Sequence, residues 1–172
     1  MKARIAVSAL ALSAAGFAVW VASEGFTPTP VIPTKGDVPT IGHGSTRYED
    51  GAPVRMTDPP ITRKRAEQLA RNLHEQEEQR FRDSLPGVKL TQDEYDLYLD
   101  FTGQYGIGNW RGSSMRRNLI KGDYKAACQS LLLYRYAGGY DCSTLVNGKP
   151  NKRCWGSWER QLKRHQTCME GV

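Results

Sequence analysis

The chain opens with a basic start, Lys2 and Arg4, and then runs from Ile5 to Ala22 without a charge. That stretch is rich in Ala, with Ser8, Ser13 and Gly16 interrupting it, and reads as one apolar helix ending near Glu24-Gly25-Phe26. Residues 27–36 have no period. Pro28, Pro30 and Pro33 fix the backbone and remove donors, which predicts loop or edge strand. Val38 to Gly44 reads as a short strand into a turn. Residues 47–60 are polar, with Gly51, Pro53 and Pro59-Pro60, and predict a second strand or loop. Residues 27–60 together predict a small β-lobe.

The pattern then becomes helical. Ala66, Leu69, Ala70, Leu73 and Phe81 share one face of a long helix from Ile61-Thr62 to about Leu85. The charge run Glu75 to Arg80 is expected to be its solvated face. Thr62 caps this helix and Pro86-Gly87 stops it. Leu90 to Phe101 predicts the next helix, with Thr91 and Glu94 spaced as a capping box. Tyr95, Leu97, Tyr98, Leu99 and Phe101 cover most of its circumference, as in a buried central helix. Gly103, Gly106 and Gly108 are expected to break it. Ser114–Ile120 predicts a short helix, Asp123 caps another running to about Tyr136, and Gly138-Gly139 ends that one. Cys142 to Cys154 reads as a polar loop before a last helix, Trp155 to about Met169. The fold class is α+β, with a helical lobe over about 61–172 joined to the β-lobe by one long helix.

Three readings fit residues 1–23. A cleavable signal peptide has this basic start and apolar middle. A permanent membrane helix needs about 20 strongly apolar residues, and this segment is short and weakly apolar. The third reading is a weak anchor that inserts, escapes and then packs as the first helix. Ala14, Ala18 and Ala22 form a small-residue stripe suited to such packing or to helix pairing in a bilayer. The basic start favours the cytoplasmic side and leaves the body in the periplasm.

A chain of 172 residues with net charge +6 fits a single basic domain, residues 24–172. A basic surface attracts polyanions, which include nucleic acid, anionic lipid and cell-wall polymer. No helix interleaves Lys and Arg with aromatics, so nucleic acid is not an expected partner. Cys128, Cys142, Cys154 and Cys168 are widely spaced without a CxxC, which argues against zinc and leaves three disulfide connectivities open. No cofactor or metal is expected, and a monomer is.

The order of these features resembles the phage-type lysozymes of glycoside hydrolase family 24. It is most similar to the signal-anchor-release endolysins of phages that infect Gram-negative bacteria. Glu24-Gly25 looks like the family's catalytic Glu-Gly at the end of its first helix. Thr40-Ile41-Gly42-His43-Gly44 looks like its Thr-Ile-Gly-aromatic-Gly run. Ile61-Thr62 with Ala66 and Leu69, and Leu90-Thr91-Gln92 with Tyr95-Asp96, are similar to its interlobe and central helices. Ala137-Gly138-Gly139, Gly156, Arg160 and Cys168 match its C-terminal motif. One position departs from the pattern. The family places an Asp six residues before the Thr, and that position here is Thr34. Asp37, three residues before Thr40, is the only Asp between Glu24 and Thr40.

The resemblance implies a muramidase that cleaves the β-1,4 bond between N-acetylmuramic acid and N-acetylglucosamine during host lysis. Its partners would be peptidoglycan glycan strands and, through residues 5–22, the inner membrane before release to the periplasm. Hydrolysis needs an acid for the leaving oxygen and help for the developing sugar cation. Glu24 is the expected general acid, in an environment of partial burial. Thr40 would hold the attacking water, and Asp37, or Thr34 in its place, would be the second group. Arg160 matches the family arginine that contacts the acid. Tyr105, Asn109 and Trp110 are candidates either for the sugar cleft or for loop packing. The resemblance also implies the disulfide Cys128–Cys168, leaving Cys142–Cys154 to close the polar loop. The other function class is a non-catalytic wall-binding or lysis-regulating protein on the same scaffold, prompted by the missing Asp.

Overall fold

A computed structural model describes residues 2–172. Met1, the first residue of the expected anchor, lies outside the described residues. The chain divides into two compact units, residues 12–80 and a second unit that combines the residues up to Ala11 with Phe81–Val172.

In the unit of residues 12–80, helix α1 spans Ala14–Glu24. Ser13 caps it, its hydroxyl accepting from the Gly16 N–H at 2.9 Å. The expectation of one helix over 5–22 is thus corrected: residues 10–13 precede α1 without helical structure. Their backbone groups have other partners. The Leu12 N–H donates to the Glu78 carboxylate at 2.8 Å. Phe17 and Trp20 form the buried face of α1, against Ala70. The Ala14, Ala18 and Ala22 stripe is exposed. Among the described residues no helix is long and apolar enough to cross a membrane.

Strands β2 (Thr27–Val31) and β3 (Thr40–Gly42) pair antiparallel, with the register shifting between Thr27 and Val31. Pro28 and Pro30 explain the irregularity, since neither can donate to the ladder. Bridges Ile41–Ser45 and Arg47–Pro53 extend the lobe. Ile41, Val54 and Leu69 form its core, with Ile61 and Tyr48 packed on them. Helix α2 spans Arg63–Asp83. Its apolar face buries Ala66, Leu69 and Ala70, while Leu73 is exposed. The charge run is not wholly solvated. Glu78 is buried where it accepts from Leu12, and the neighbouring His74 packs against Trp20 with ring centroids 4.1 Å apart.

The other unit is built on α3 (Gln92–Gly112), which carries the expected capping box. Tyr95, Leu97, Tyr98, Leu99 and Phe101 are all buried. The expected break falls at Gly106, whose φ of +84° and ψ of 152° are not helical; α3 is two helical segments that meet there, the second ending at Gly112. Phe81, Tyr95, Tyr98 and Trp110 form an aromatic cluster with neighbouring centroids 5.1–5.4 Å apart. Helix α4 spans Ser114–Ile120 and α5 spans Tyr124–Ser130. The helix expected to reach Tyr136 stops early, followed by a 3-10 turn over Leu131–Leu133. Gly138-Gly139 turns a hairpin between β5 (Tyr136–Ala137) and β6 (Tyr140–Asp141). A second hairpin, β7 (Leu145–Val146) with β8 (Lys149–Pro150), occupies the expected polar loop. Helix α6 spans Trp155–Glu170. The disulfides are Cys128–Cys168 and Cys142–Cys154.

The first residues of the chain belong to this unit as an arm, a strand at Ile5–Ala6 followed by a 3-10 turn over Val7–Ala9. Strand β1 (Ile5–Ala6) pairs antiparallel with β4 (Lys89–Leu90). The Val7 N–H donates to Val88 O at 3.0 Å, and the Gln92 side chain donates to Ala11 O at 2.8 Å. The Arg4 guanidinium bonds the buried Glu94 carboxylate at 2.6–3.1 Å and lies 3.7 Å from the centre of the Tyr124 ring. This carboxylate is also the cap of α3, accepting from the Thr91 N–H. The arm does not form an α-helix because these distant partners satisfy backbone groups that an isolated apolar helix would satisfy internally.

Candidate active site

Glu24 is the last residue of α1, and it is exposed rather than partly buried as expected, because it stands at the helix end, beyond the buried Phe17 and Trp20. Gly25 ends the helix at φ +72°, a left-handed conformation that glycine adopts without a β-carbon penalty. The buried His43 ring fixes that turn, its Nδ1 lying in hydrogen-bond contact with the Gly25 carbonyl. A carbonyl only accepts, so Nδ1 is the donor in this contact. His43 Nε2 is buried without a hydrogen-bond partner among the described residues. The Phe26 ring packs on His43 at 5.7 Å, and the Arg63 guanidinium sits 4.5 Å from the Phe26 centroid. The carboxylate of Glu24 lies over Gly44, where a β-carbon would come 4.0 Å from Oε2. The Glu-Gly pair and the Gly-His-Gly turn are therefore brought together in one unit.

Glu24 also acts on α2. Burial pushes the Glu77 carboxyl above the usual carboxylate range; Arg80 opposes the shift and the charge of Glu24 adds to it. Thr40 is half-buried, and its hydroxyl donates to Val31 O at 3.4 Å. With its proton so placed, Thr40 Oγ1 presents lone pairs to any further partner. Asp37 is exposed in the β2–β3 loop, its N–H donating to Thr34 O at 2.9 Å across a turn that includes Gly36 at φ +96°. Thr34 is exposed as well.

Arg160 belongs to the other unit, on α6. It forms an ion pair with Asp100, and Arg164 joins the same carboxylate through Nε at 2.7 Å. Burial lowers the Arg164 guanidinium below its ordinary value, against the pull of Asp100. Neither Asp100 nor Arg164 stands out in the sequence. The available signal is the acid at 100 within an apolar helix and the two arginines one helical turn apart. His43 likewise carries little signal in the sequence, as a lone His between glycines. Trp110 is wholly buried in the aromatic cluster and donates to Ser84 Oγ at 2.7 Å, so it is a core residue. Tyr105 stacks on Phe101 at 4.6 Å and Asn109 bonds back to Tyr105 O.

The phage lysozyme family model matches residues 21–152. An endolysin of Salmonella phage P22 is 33% identical over 101 residues, which cover 59% of this chain and 68% of that protein. Among solved structures, an endolysin from Escherichia coli O157:H7 phage FAHEc1 superposes with a TM-score of 0.72 at 22% identity, covering 100% of this chain and 98% of that one. A mutant of P22 lysozyme superposes equally well, with a TM-score of 0.72 at 24% identity, covering 93% and 99%. At such identities the superpositions establish the lysozyme-like α+β fold, while the family match extends over most of the sequence. The chain belongs to the phage lysozyme family and is a lysozyme-type glycoside hydrolase acting on peptidoglycan.

Proposed function

We propose that the chain is an endolysin that hydrolyses the β-1,4 bond between N-acetylmuramic acid and N-acetylglucosamine, with Glu24 as general acid. The observation that carries this is the seating of Glu24 at the left-handed Gly25, over Gly44, with His43 holding the Gly25 carbonyl. Fixing the backbone next to Glu24 restricts where its carboxylic acid can reach, and general acid catalysis requires such positioning. In the reaction Glu24 gives its proton to the glycosidic oxygen as that bond breaks. A water adds to the anomeric carbon from the opposite face, and its proton passes to Asp37. Thr40 accepts a hydrogen bond from the same water, since its own proton is engaged by Val31. Thr34 is the alternative position for the second group, and its hydroxyl would orient water without taking the proton.

The test is product chemistry. Purified sacculi are digested, reduced with borohydride and separated by mass. Reducing muramic acid ends are expected. Anhydro ends would make the enzyme a lytic transglycosylase, and intact sacculi that retain bound protein would make it a wall-binding protein instead. The proposal includes delivery: residues 5–22 carry the chain to the inner membrane, and the monomeric enzyme then acts in the periplasm. N-terminal sequencing of the active periplasmic protein checks this, since release requires Met1 to Ala22 to be retained.

A further inference from the structure

The paired hairpins of residues 136–150 expose apolar side chains that the catalytic account does not use. Leu145 and Val146 are 59% and 55% exposed, and Leu133, Tyr136 and Tyr140 are exposed beside them in sequence. The β7–β8 turn is Asn147-Gly148, with both residues at positive φ. That two-residue turn matches strand twist and makes a tight hairpin. The Cys142–Cys154 disulfide closes its base, Asn151 Nδ2 donates to Asp141 O at 3.5 Å, and the Arg153 guanidinium sits 4.3 Å from the centre of the Tyr140 ring. The exposed tip is therefore held in place.

Charge surrounds this tip on one sign. Between Leu133 and Arg153 the cations are Arg135, Lys149, Lys152 and Arg153, and Asp141 is the only acid. Asp141 is already engaged by Arg135 at 3.1 Å and by Ser143. Lys149, Lys152 and Arg153 are exposed. Aliphatic side chains ringed by Lys and Arg make the pattern of a surface that enters the headgroup region of a bilayer, with the cations at the phosphate level. Sugars are met by flat aromatic faces and convergent hydrogen-bonding groups, and Leu145 and Val146 offer neither. Exposed patches of this kind mark interaction sites.

We infer that the β7–β8 hairpin, through Leu145 and Val146 with Lys149, Lys152 and Arg153, docks the folded enzyme on a bilayer bearing anionic phospholipid. The attachment is additional to hydrolysis and does not involve residues 5–22. Full-length enzyme is sedimented with vesicles of phosphatidylcholine alone and with vesicles that also contain phosphatidylglycerol. Binding to the anionic vesicles is expected, weakened by salt. The Leu145→Asp/Val146→Asp variant should lose roughly tenfold in partition while digesting sacculi as the parent does. Lys149→Glu/Lys152→Glu, which keeps the apolar tip, should lose a similar factor through charge alone. Indifference of the parent to anionic lipid would overturn the inference. So would unchanged partition of both variants, which would place the lipid contact elsewhere. Loss of sacculus binding in step with lipid binding would assign the hairpin to the glycan and also overturn it.

Discussion

Gly42 tests how tightly the β-lobe is set against α2. It ends β3 at φ +69°, immediately before His43. A β-carbon there would lie 2.8 Å from Ala66 Cβ, 3.2 Å from Ala66 Cα and 3.3 Å from Ile61 Cδ1. Two costs follow for Gly42→Ala. The left-handed backbone costs a residue with a β-carbon about 1–2 kcal/mol. The collision is with the Cβ and Cα of Ala66 in a helix, which have no rotatable bond to swing aside on, and such overpacking adds about 1–3 kcal/mol. The sum is about 2–5 kcal/mol. Gly51 separates the two terms, because it has φ +83° with nothing within 4 Å of its β-carbon position. Gly51→Ala should show the backbone cost alone. Urea unfolding followed by tryptophan fluorescence suits both variants, since Trp20 lies in the same unit. Gly42→Ala should also lower lytic activity, because the shifted β3 turn carries His43 and Gly44 away from Glu24. Equal unfolding midpoints for the two variants would refute the close approach of β3 to α2.

Arg4→Ala should cost about 3 kcal/mol, because it leaves the buried Glu94 carboxylate without its cation; thermal unfolding measures this, and a change near zero would mean the arm is not anchored there. In the chain-entropy model, replacing Cys128 and Cys168 by Ala should cost about 4 kcal/mol and replacing Cys142 and Cys154 about 3 kcal/mol, since the bridges span 40 and 12 residues. Chemical denaturation of the two double variants gives the order, which a larger loss from the shorter loop would contradict. Glu77 binds its proton more tightly in the folded state than in the unfolded one, so its contribution to stability falls as pH rises through that range. Glu77→Gln should therefore stabilise the protein at neutral pH, by about 0.5 kcal/mol or less given solvent screening, and the gain should vanish in acid. Melting temperatures measured across that range check the sign.

The elements legible in the sequence are those fixed by local signals. Thr91 and Glu94 form their capping box because both groups lie within one turn of the same helix. The long α2 follows from Ala66, Leu69, Ala70 and Phe81 on one face. Family resemblance supplied the two disulfides and pointed to Glu24. What was illegible depends on partners far along the chain. Residues 5–9 read as part of one α-helix, yet Leu90 and Lys89 pair with Ile5 and Ala6 as a strand, and only a 3-10 turn forms over Val7–Ala9. Glu78 sits in a run of charges, yet it is buried and accepts from the Leu12 N–H, 66 residues earlier in the chain. The Ala stripe of α1 suggested a packing face, but Phe17 and Trp20 bury far more apolar area and turn that stripe to solvent. Gly106 was legible as the break in α3, but the second helical segment that follows it to Gly112 was not. At the candidate site, Glu24 and the Gly42-His43-Gly44 turn were each visible, but the bond from His43 that joins them was not.

Glu24→Gln is the direct test of the central claim. The change keeps the size of the side chain and removes its transferable proton. Initial rates of muropeptide release from purified sacculi should fall about 10²–10⁴-fold, with circular dichroism and melting temperature unchanged. Release within tenfold of the parent rate by a folded Glu24→Gln protein would contradict the assignment of Glu24 as the catalytic acid.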